Sequence, residues 1–238
     1  MSSQSSLATP TAHGGVSPEM ARLSTTAREA RTGERRAQIL RAALEVFSRR
    51  GFHGATIREI ASTAGLAEGT IYLYFPSKQD VLRGVIGLVA EDGPPPAPEQ
   101  FARGDDDGFV LAFVRGRVQT LARHASFIRL VVHEADLHED VRREFFRRLH
   151  EPFVGRFRAY LEARIADGAF RPVNTEVTAS ICFRMVMSYL MTQHVLGFAG
   201  VRYDDDEYLG EMVALILRGL MVRGPALHSA PGASKGED

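Results

Sequence analysis

Apolar residues first fall into helical register at Ile39, Ala43, Val46 and Phe47, whose i, i+4, i+7, i+8 spacing places them on one helix face. Arg49, Arg50 and Gly51 then predict a stop, with cations at the negative end of the helix and a glycine free to turn. Thr56-Ile57-Arg58-Glu59 reads as a capping box, in which the threonine hydroxyl accepts from the third helical amide and the glutamate reaches back. The helix it opens is short and ends near Gly65, which suits a left-handed turn. A third helix is expected from about Ala67 to Phe75, where Pro76 disfavours helical geometry at the residue before it. Ser77-Lys78-Gln79-Asp80 is another capping signature, and Val81, Leu82, Val85, Ile86 and Val89 are the apolar positions of the fourth helix.

The stretch from Glu91 to Gly108 breaks this pattern with Pro94, Pro95, Pro96 and Pro98, and reads as a linker. Beyond it the spacing is helical again over about Phe109 to His124, Ser126 to Leu137, Glu139 to Gly168, Thr175 to Leu196 and Asp205 to Arg223. Asn174 and Asp204 are the expected N-caps of the last two. No run alternates with period two, so the expected fold class is all-α. The organisation that follows is a flexible tail over residues 1–27, a helix-turn-helix module over 28–76, a helical domain over 77–224 with a connecting helix at 77–90, and a flexible tail over 225–238.

Composition narrows the reading without naming a partner. The chain has 238 residues, 45% of them hydrophobic, enough for a substantial core. Twenty-nine basic residues balance 29 acidic ones. The single cysteine, Cys182, excludes an intrachain disulfide, and its apolar neighbours Ile181 and Phe183 favour a buried thiol. The apolar-rich stretch free of Asp, Glu, Lys and Arg, Met185 to Val201, is short and polar for a membrane span, and the N-terminus lacks an apolar signal core. A cytoplasmic protein with no membrane association and no cofactor is expected.

The chemistry concentrates between Thr56 and Val81. Ala61 lies four residues before Gly65 and Ile71 six after it: a small residue for close helix approach, a turn, and an apolar anchor. An amphipathic helix ending in phenylalanine, a T-x-x-x-I-A opening, an A-G-L-x-x-G-T-I-Y-x-Y-F turn and helix, and then P-S-K with an acidic residue closely resemble the TetR family of bacterial transcriptional regulators. The resemblance covers about Glu34 to Leu82. It implies an N-terminal module that binds a double-stranded DNA operator, and a C-terminal domain that dimerises and binds a small effector, with repression the commoner outcome. Charge supports it independently, since Arg22 to Arg83 holds eleven Arg or Lys against six Asp or Glu. Arg28, Arg31, Arg35, Arg36 and Arg41 form either part of that footprint or an ordinary solvated face.

Thr56 and Lys78 stand at helix starts, where free amides favour an anion, and the resemblance implies phosphate contact at both. Arg58 belongs to the same candidate surface. Ala67, Glu68, Gly69 and Thr70 begin the recognition helix, the end that enters a major groove. Gly69 permits close approach; Glu68 is placed to accept from a cytosine amino group or to stay in solvent. Tyr72 and Tyr74 point about 200° apart, so one is expected in the core and one outside, and the resemblance favours Tyr72 at the DNA. Leu73 departs from the family, which commonly carries His, Tyr or Asn there. Leucine cannot bond a phosphate, so it touches a thymine methyl or packs.

Other features carry less. His133 and His138 flank Glu134 five residues apart, whereas a zinc-binding helix needs i and i+4, so no metal is expected. The acidic runs at Asp105–Asp107 and Asp204–Glu207 read as helix-start residues. The last two helices carry apolar residues around wide arcs, namely Ile181, Phe183, Val186, Met187, Leu190 and Met191, then Tyr208, Leu209, Met212, Leu215, Ile216 and Leu220. A homodimer through these helices is expected. His124, Phe127, Tyr160, Phe183, Met187, Met191 and His194 are the candidate lining of a pocket for a hydrophobic effector. The competing readings are a helical small-molecule-binding enzyme, which leaves the Thr56–Lys78 motif unexplained, and a dimeric regulator without an effector.

Overall fold

The computed structural model of the chain describes residues 18–93, 96, 100, 104–197 and 202–221, with side chains from residue 28 onward. Helices dominate in the order α1 (Pro18–Gly54), α2 (Ile57–Ala64), α3 (Glu68–Tyr74), α4 (Lys78–Glu91), α5 (Asp106–Arg123), α6 (Ala125–Leu137), α7 (Glu139–Phe145), α8 (Glu151–Ala166), α9 (Thr175–Leu190) and α10 (Asp205–Leu220). Among the described residues the only β-type pairing is an isolated bridge between Phe170 and Met221. It sits beside two bonds from Arg171, N–H to the Leu220 carbonyl at 2.8 Å and Nε to the Gly219 carbonyl at 2.7 Å. These tie the α8–α9 connection to the end of α10.

The local signals form as their chemistry requires. Thr56 accepts from the Glu59 amide at 3.1 Å while the Glu59 carboxylate accepts from the Thr56 amide at 3.2 Å, a complete capping box. Gly65 takes φ 67° and ψ 35°, the left-handed cap that stops α2. Ser77, Asn174 and Asp204 each cap the helix that follows. Gly51, at φ 70° and ψ 176°, kinks α1 where a stop was expected, but one more turn follows to Gly54.

Three boundaries differ from expectation. Residues 18–27, assigned to the N-terminal tail, are the first turns of α1; Pro18 at the start and the following Glu, Met, Ala and Arg are compatible with helix. Residues 1–17 and 222–238, including the C-terminal tail, lie outside the described residues, as do residues 94–95, 97–99 and 101–103 of the linker. The helix expected over Glu139 to Gly168 is interrupted by a π-helical segment, Phe146–His150, and the one over Thr175 to Leu196 ends in another, Met191–Val195. Each carries an i→i+5 bond, Glu151 to Phe146 and Leu196 to Met191. Apolar spacing alone does not report one inserted residue in a helical turn.

The core divides into two clusters, and the division does not follow the domain boundary. The first joins Ile39, Val46, Phe47, Ile60, Ile71 and Phe75 to Val81, Leu82, Val85, Ile86 and Val89 of α4, and continues into Phe127, Ile128, Val131, Val141 and Leu149. The second lies among α5, α8, α9 and α10, around Phe113, Phe157, Phe170, Tyr189, Leu209 and Leu217. At one edge of it Asp106, buried, accepts from the Tyr160 hydroxyl and pairs twice with Arg164, Nε–Oδ1 at 2.7 Å and Nη2–Oδ2 at 2.9 Å. Burial and the neighbouring Asp106 carboxylate push the Tyr160 phenol well above its ordinary pKa.

Candidate functional site

The first core fixes one face of the α2–α3 pair and leaves the other to solvent. Ile57, Ile60, Ala61 and Ile71 are buried, whereas Thr56, Arg58, Ala67, Glu68 and Gly69 are exposed. Tyr72 is 49% exposed and Leu73 82%. Tyr74 packs half-buried against the core, so the two tyrosines divide as their 200° separation requires, with Tyr72 outward. Thr70 is half-buried and its amide donates to the Ala67 carbonyl at 2.9 Å. An aliphatic side chain as exposed as Leu73 gains little from packing within this chain.

Two residues of α1, Arg36 and Gln38, support this surface, and sequence reasoning gave neither that role. Arg36 Nη1 donates to the Tyr74 carbonyl at 2.9 Å, and its guanidinium lies 4.3 Å from the Phe75 ring centroid. It satisfies the C-terminal end of α3, where the backbone has no further helical partner. Gln38 Nε2 does the same for α2, donating to the Ala64 carbonyl at 2.7 Å. Arg36, three residues before Ile39, lies near the buried face of α1, whereas Gln38 reaches its partner from the flank of that face, which apolar spacing does not report.

Lys78 opens α4 as expected, but its ammonium has partners within the chain. Its ammonium donates to the Phe52 carbonyl at 2.8 Å and the Ala55 carbonyl at 3.0 Å, and lies 4.6 Å from the Phe52 ring centroid. It therefore clamps the start of α4 onto the α1–α2 turn, leaving one of three donors for any phosphate. Lys78→Met is expected to cost about 2 kcal/mol, the scale of hydrogen bonds to a charged group, with a fall in Tm measurable without DNA. An unchanged Tm with weakened DNA binding would instead place the ammonium at the phosphates. Of the other cations, Arg35, Arg49, Arg50 and Arg83 bond neighbouring side chains. Among the described residues Arg28, Arg31, Arg41 and Arg58 are exposed and in no ion pair.

The seven residues expected to line a pocket are spread through the interior. His124 bonds Asp92, Nε2–Oδ2 2.9 Å, and Phe127 fills the first core. Tyr160 and Phe183 belong to the second core, Phe183 edge-on to His150 and Phe153. Met187 touches both cores, Met191 packs on the first, and His194 bonds Asp205 at 3.1 Å. These groups are packing and helix-end partners, because apolar spacing identifies a buried face without telling whether it meets another helix or a void. A cavity of about 300 Å³ lies elsewhere, between the end of α4, α5 and the start of α8. Ala90, Glu91, Phe113, Arg117, Arg148, Pro152, Phe153 and Arg156 contribute to its wall, and none of the seven does. Cys182 is buried, and desolvation raises its thiol to about 12, so it stays protonated at neutral pH.

A short helix held outward by a capped helix, a glycine turn and an apolar anchor defines the helix-turn-helix class of DNA-binding protein. The wider comparisons specify which. Residues 39–85 match the model described as bacterial regulatory proteins, tetR family, and residues 111–218 match the AefR-like transcriptional repressor C-terminal domain. The repressor NicS of Pseudomonas putida is 28% identical over 198 residues, 78% of this chain and 92% of that protein. Among solved structures, the flavonoid-responsive regulator FrrA superposes with a TM-score of 0.61 at 24% identity, over 81% of this chain and all of that one. A TetR family regulator from Pseudomonas syringae gives 0.59 at 20% identity, over 80% and 98%. The chain belongs to the TetR family of transcriptional regulators. Members of this family bind DNA and dimerise, and they are not enzymes. Among the described residues no helix is long and apolar enough to cross a membrane.

Proposed function

We propose that this regulator is a ligand-responsive repressor that binds a palindromic operator as a homodimer through α9 and α10. The observation that carries the DNA reading is the outward presentation of Tyr72 and Leu73 beside Thr56, Arg58, Glu68 and Gly69. Similarity to the repressor NicS supports repression. Thr56 and Arg58 meet phosphates at the start of α2, Tyr72 and Leu73 face the major groove, and Gly69 admits the backbone closely. On operator DNA, Tyr72→Ala is expected to lose more affinity than on random DNA. Arg58→Ala is expected to weaken both alike and flatten the salt dependence by about one unit. Gel shifts at several salt concentrations on DNA from around its own gene decide this; unchanged operator affinity for both variants would sink the assignment.

The dimer reading rests on an apolar stripe that this chain leaves uncovered. Phe183, Val186, Leu190, Leu209, Met212 and Leu220 are buried within the subunit, whereas Ile181 is 51% and Leu215 62% exposed. With Met185, Ser188 and Tyr208 they line a shallow groove between the two helices. A second copy related by a two-fold axis would cover it with the same residues.

The ligand reading rests on α4. Its first turn clamps the α1–α2 turn through Lys78, and its last turn, Ala90 and Glu91, forms part of the cavity wall. Fourteen residues make a rod of about 21 Å between the two. A dimer must hold its recognition helices about one DNA turn apart. A ligand that prefers a displaced α4 would weaken operator binding to the extent of its differential affinity for the two states.

A further inference from the structure

We propose that the cavity bounded by α4, α5 and α8 takes a small organic anion with an apolar body, its carboxylate held by Arg117 and Arg156. This inference rests on the ligand-responsive reading and gives its effector a chemical class.

The cavity combines two kinds of wall. Phe113 and Phe153, with ring centroids 4.8 Å apart, join Ala90 and Pro152 as an apolar surface. Arg117, Arg148 and Arg156 bring three guanidinium groups to the same space, against the single carboxylate of Glu91. Arg148 is already neutralised, pairing with Glu91 at 3.1 Å and with Glu144 at 2.9 Å. Arg117 is not. Its Nη1 and Nη2 reach the carbonyls of Ala90 and Leu149 at 3.3 and 3.4 Å, both long bonds to neutral groups. Its Nε is buried without a partner. Burial, and then the like charge of Arg156, push its pKa down to about 10. It nevertheless remains protonated at neutral pH. Arg156 is exposed and, among the described residues, is in no ion pair.

A desolvated guanidinium without a counter-charge, with a second cation beside it, is an unfavourable arrangement that an anion relieves. Guanidinium groups bind carboxylates in a forked geometry, so the ligand's head group is placed at the arginines and its body on the phenylalanines. A neutral molecule of the same shape fills the apolar wall and leaves the charge unpaired. The site also reaches α4 directly. An anion that draws Arg117 from the Ala90 carbonyl, or Arg148 from Glu91, loosens the last turn of the helix that Lys78 clamps at its other end.

Calorimetric titration of the full chain without DNA tests the ligand class. The probes are octanoate and 4-phenylbutyrate, each against its neutral amide. The acids are expected to bind at least about tenfold more tightly than the amides, a difference of about 1.4 kcal/mol. Arg156→Gln, at an exposed position, is expected to weaken the acids at least about fivefold and leave the amides unchanged; Arg117→Met is expected to do so more strongly. Equal affinity for acid and amide, or no acid binding up to about 10 mM by a folded protein, overturns the proposal. Operator release is scored separately by fluorescence anisotropy. Acids that bind without changing operator affinity refute the ligand-responsive reading and leave the ligand class standing. Amides that bind as tightly and release the operator do the reverse.

Discussion

Leu215→Glu, combined with Ile181→Glu, is expected to yield a folded monomer that binds operator at least about a hundredfold more weakly. Both side chains are more than half exposed in the isolated subunit, so the charges meet water there and the fold is retained. In a two-fold interface across this groove the new carboxylates, two from each subunit, are taken out of water against only Arg184 as a cation in its lining, which opposes association. The loss on DNA follows from geometry. Two linked recognition helices bind with an effective concentration that raises affinity by roughly 10² to 10⁴ over one helix alone. Sedimentation at micromolar concentration and circular dichroism check the first claim, and gel shift the second. A variant that stays dimeric would move the interface away from α9 and α10.

The second large effect is on stability. Asp106→Ala is expected to destabilise the chain by about 3 kcal/mol, the lower part of the range for breaking a buried ion pair. Asp106 is the carboxylate that Arg164 grips with two nitrogens and that accepts from Tyr160. Arg164 keeps one exposed partner, Asp167 at 3.0 Å, which limits the damage. For a chain of this size the loss corresponds to a fall in Tm of roughly 6–12 °C. Tyr160→Phe, which removes one hydroxyl and leaves the ion pair, is expected to cost about 1 kcal/mol. Thermal unfolding of both variants measures the difference; equal effects would show that the carboxylate–guanidinium pair contributes nothing beyond the hydroxyl.

Asp106 also marks the limit of what the sequence discloses. Within Asp105–Asp107 it looks like one more acid at a helix start, and Asp105 does cap the Gly108 amide at 3.0 Å. That Asp106 turns inward depends on Arg164, 58 residues away, which no local pattern connects to it. The same distinction separates the other outcomes. Thr56, Gly65 and Ser77 were readable because a cap or a turn is decided by three or four neighbouring residues. Tyr72 and Tyr74 were separable by helix geometry alone. Lys78 was placed correctly at a helix start, but its two carbonyl partners lie 26 and 23 residues earlier. The cavity was missed entirely. Its walls come from four segments, and its most informative residues, Arg117 and Arg156, look in sequence like surface cations.

The first core, running from Phe47 and Ile71 through Val85 to Phe127 and Val131, bears on how such a regulator can be given a new address. Transplanting α1 to α3 from a relative would bring in an α1 face that was never fitted to α6. The chimera would suffer in cohesion before its reading of DNA could be judged. The exposed set Glu68, Gly69, Tyr72 and Leu73 lies outside both buried cores. On the proposed DNA-reading role of these four positions, rewriting them is expected to change the inscription while leaving intact the body that carries it.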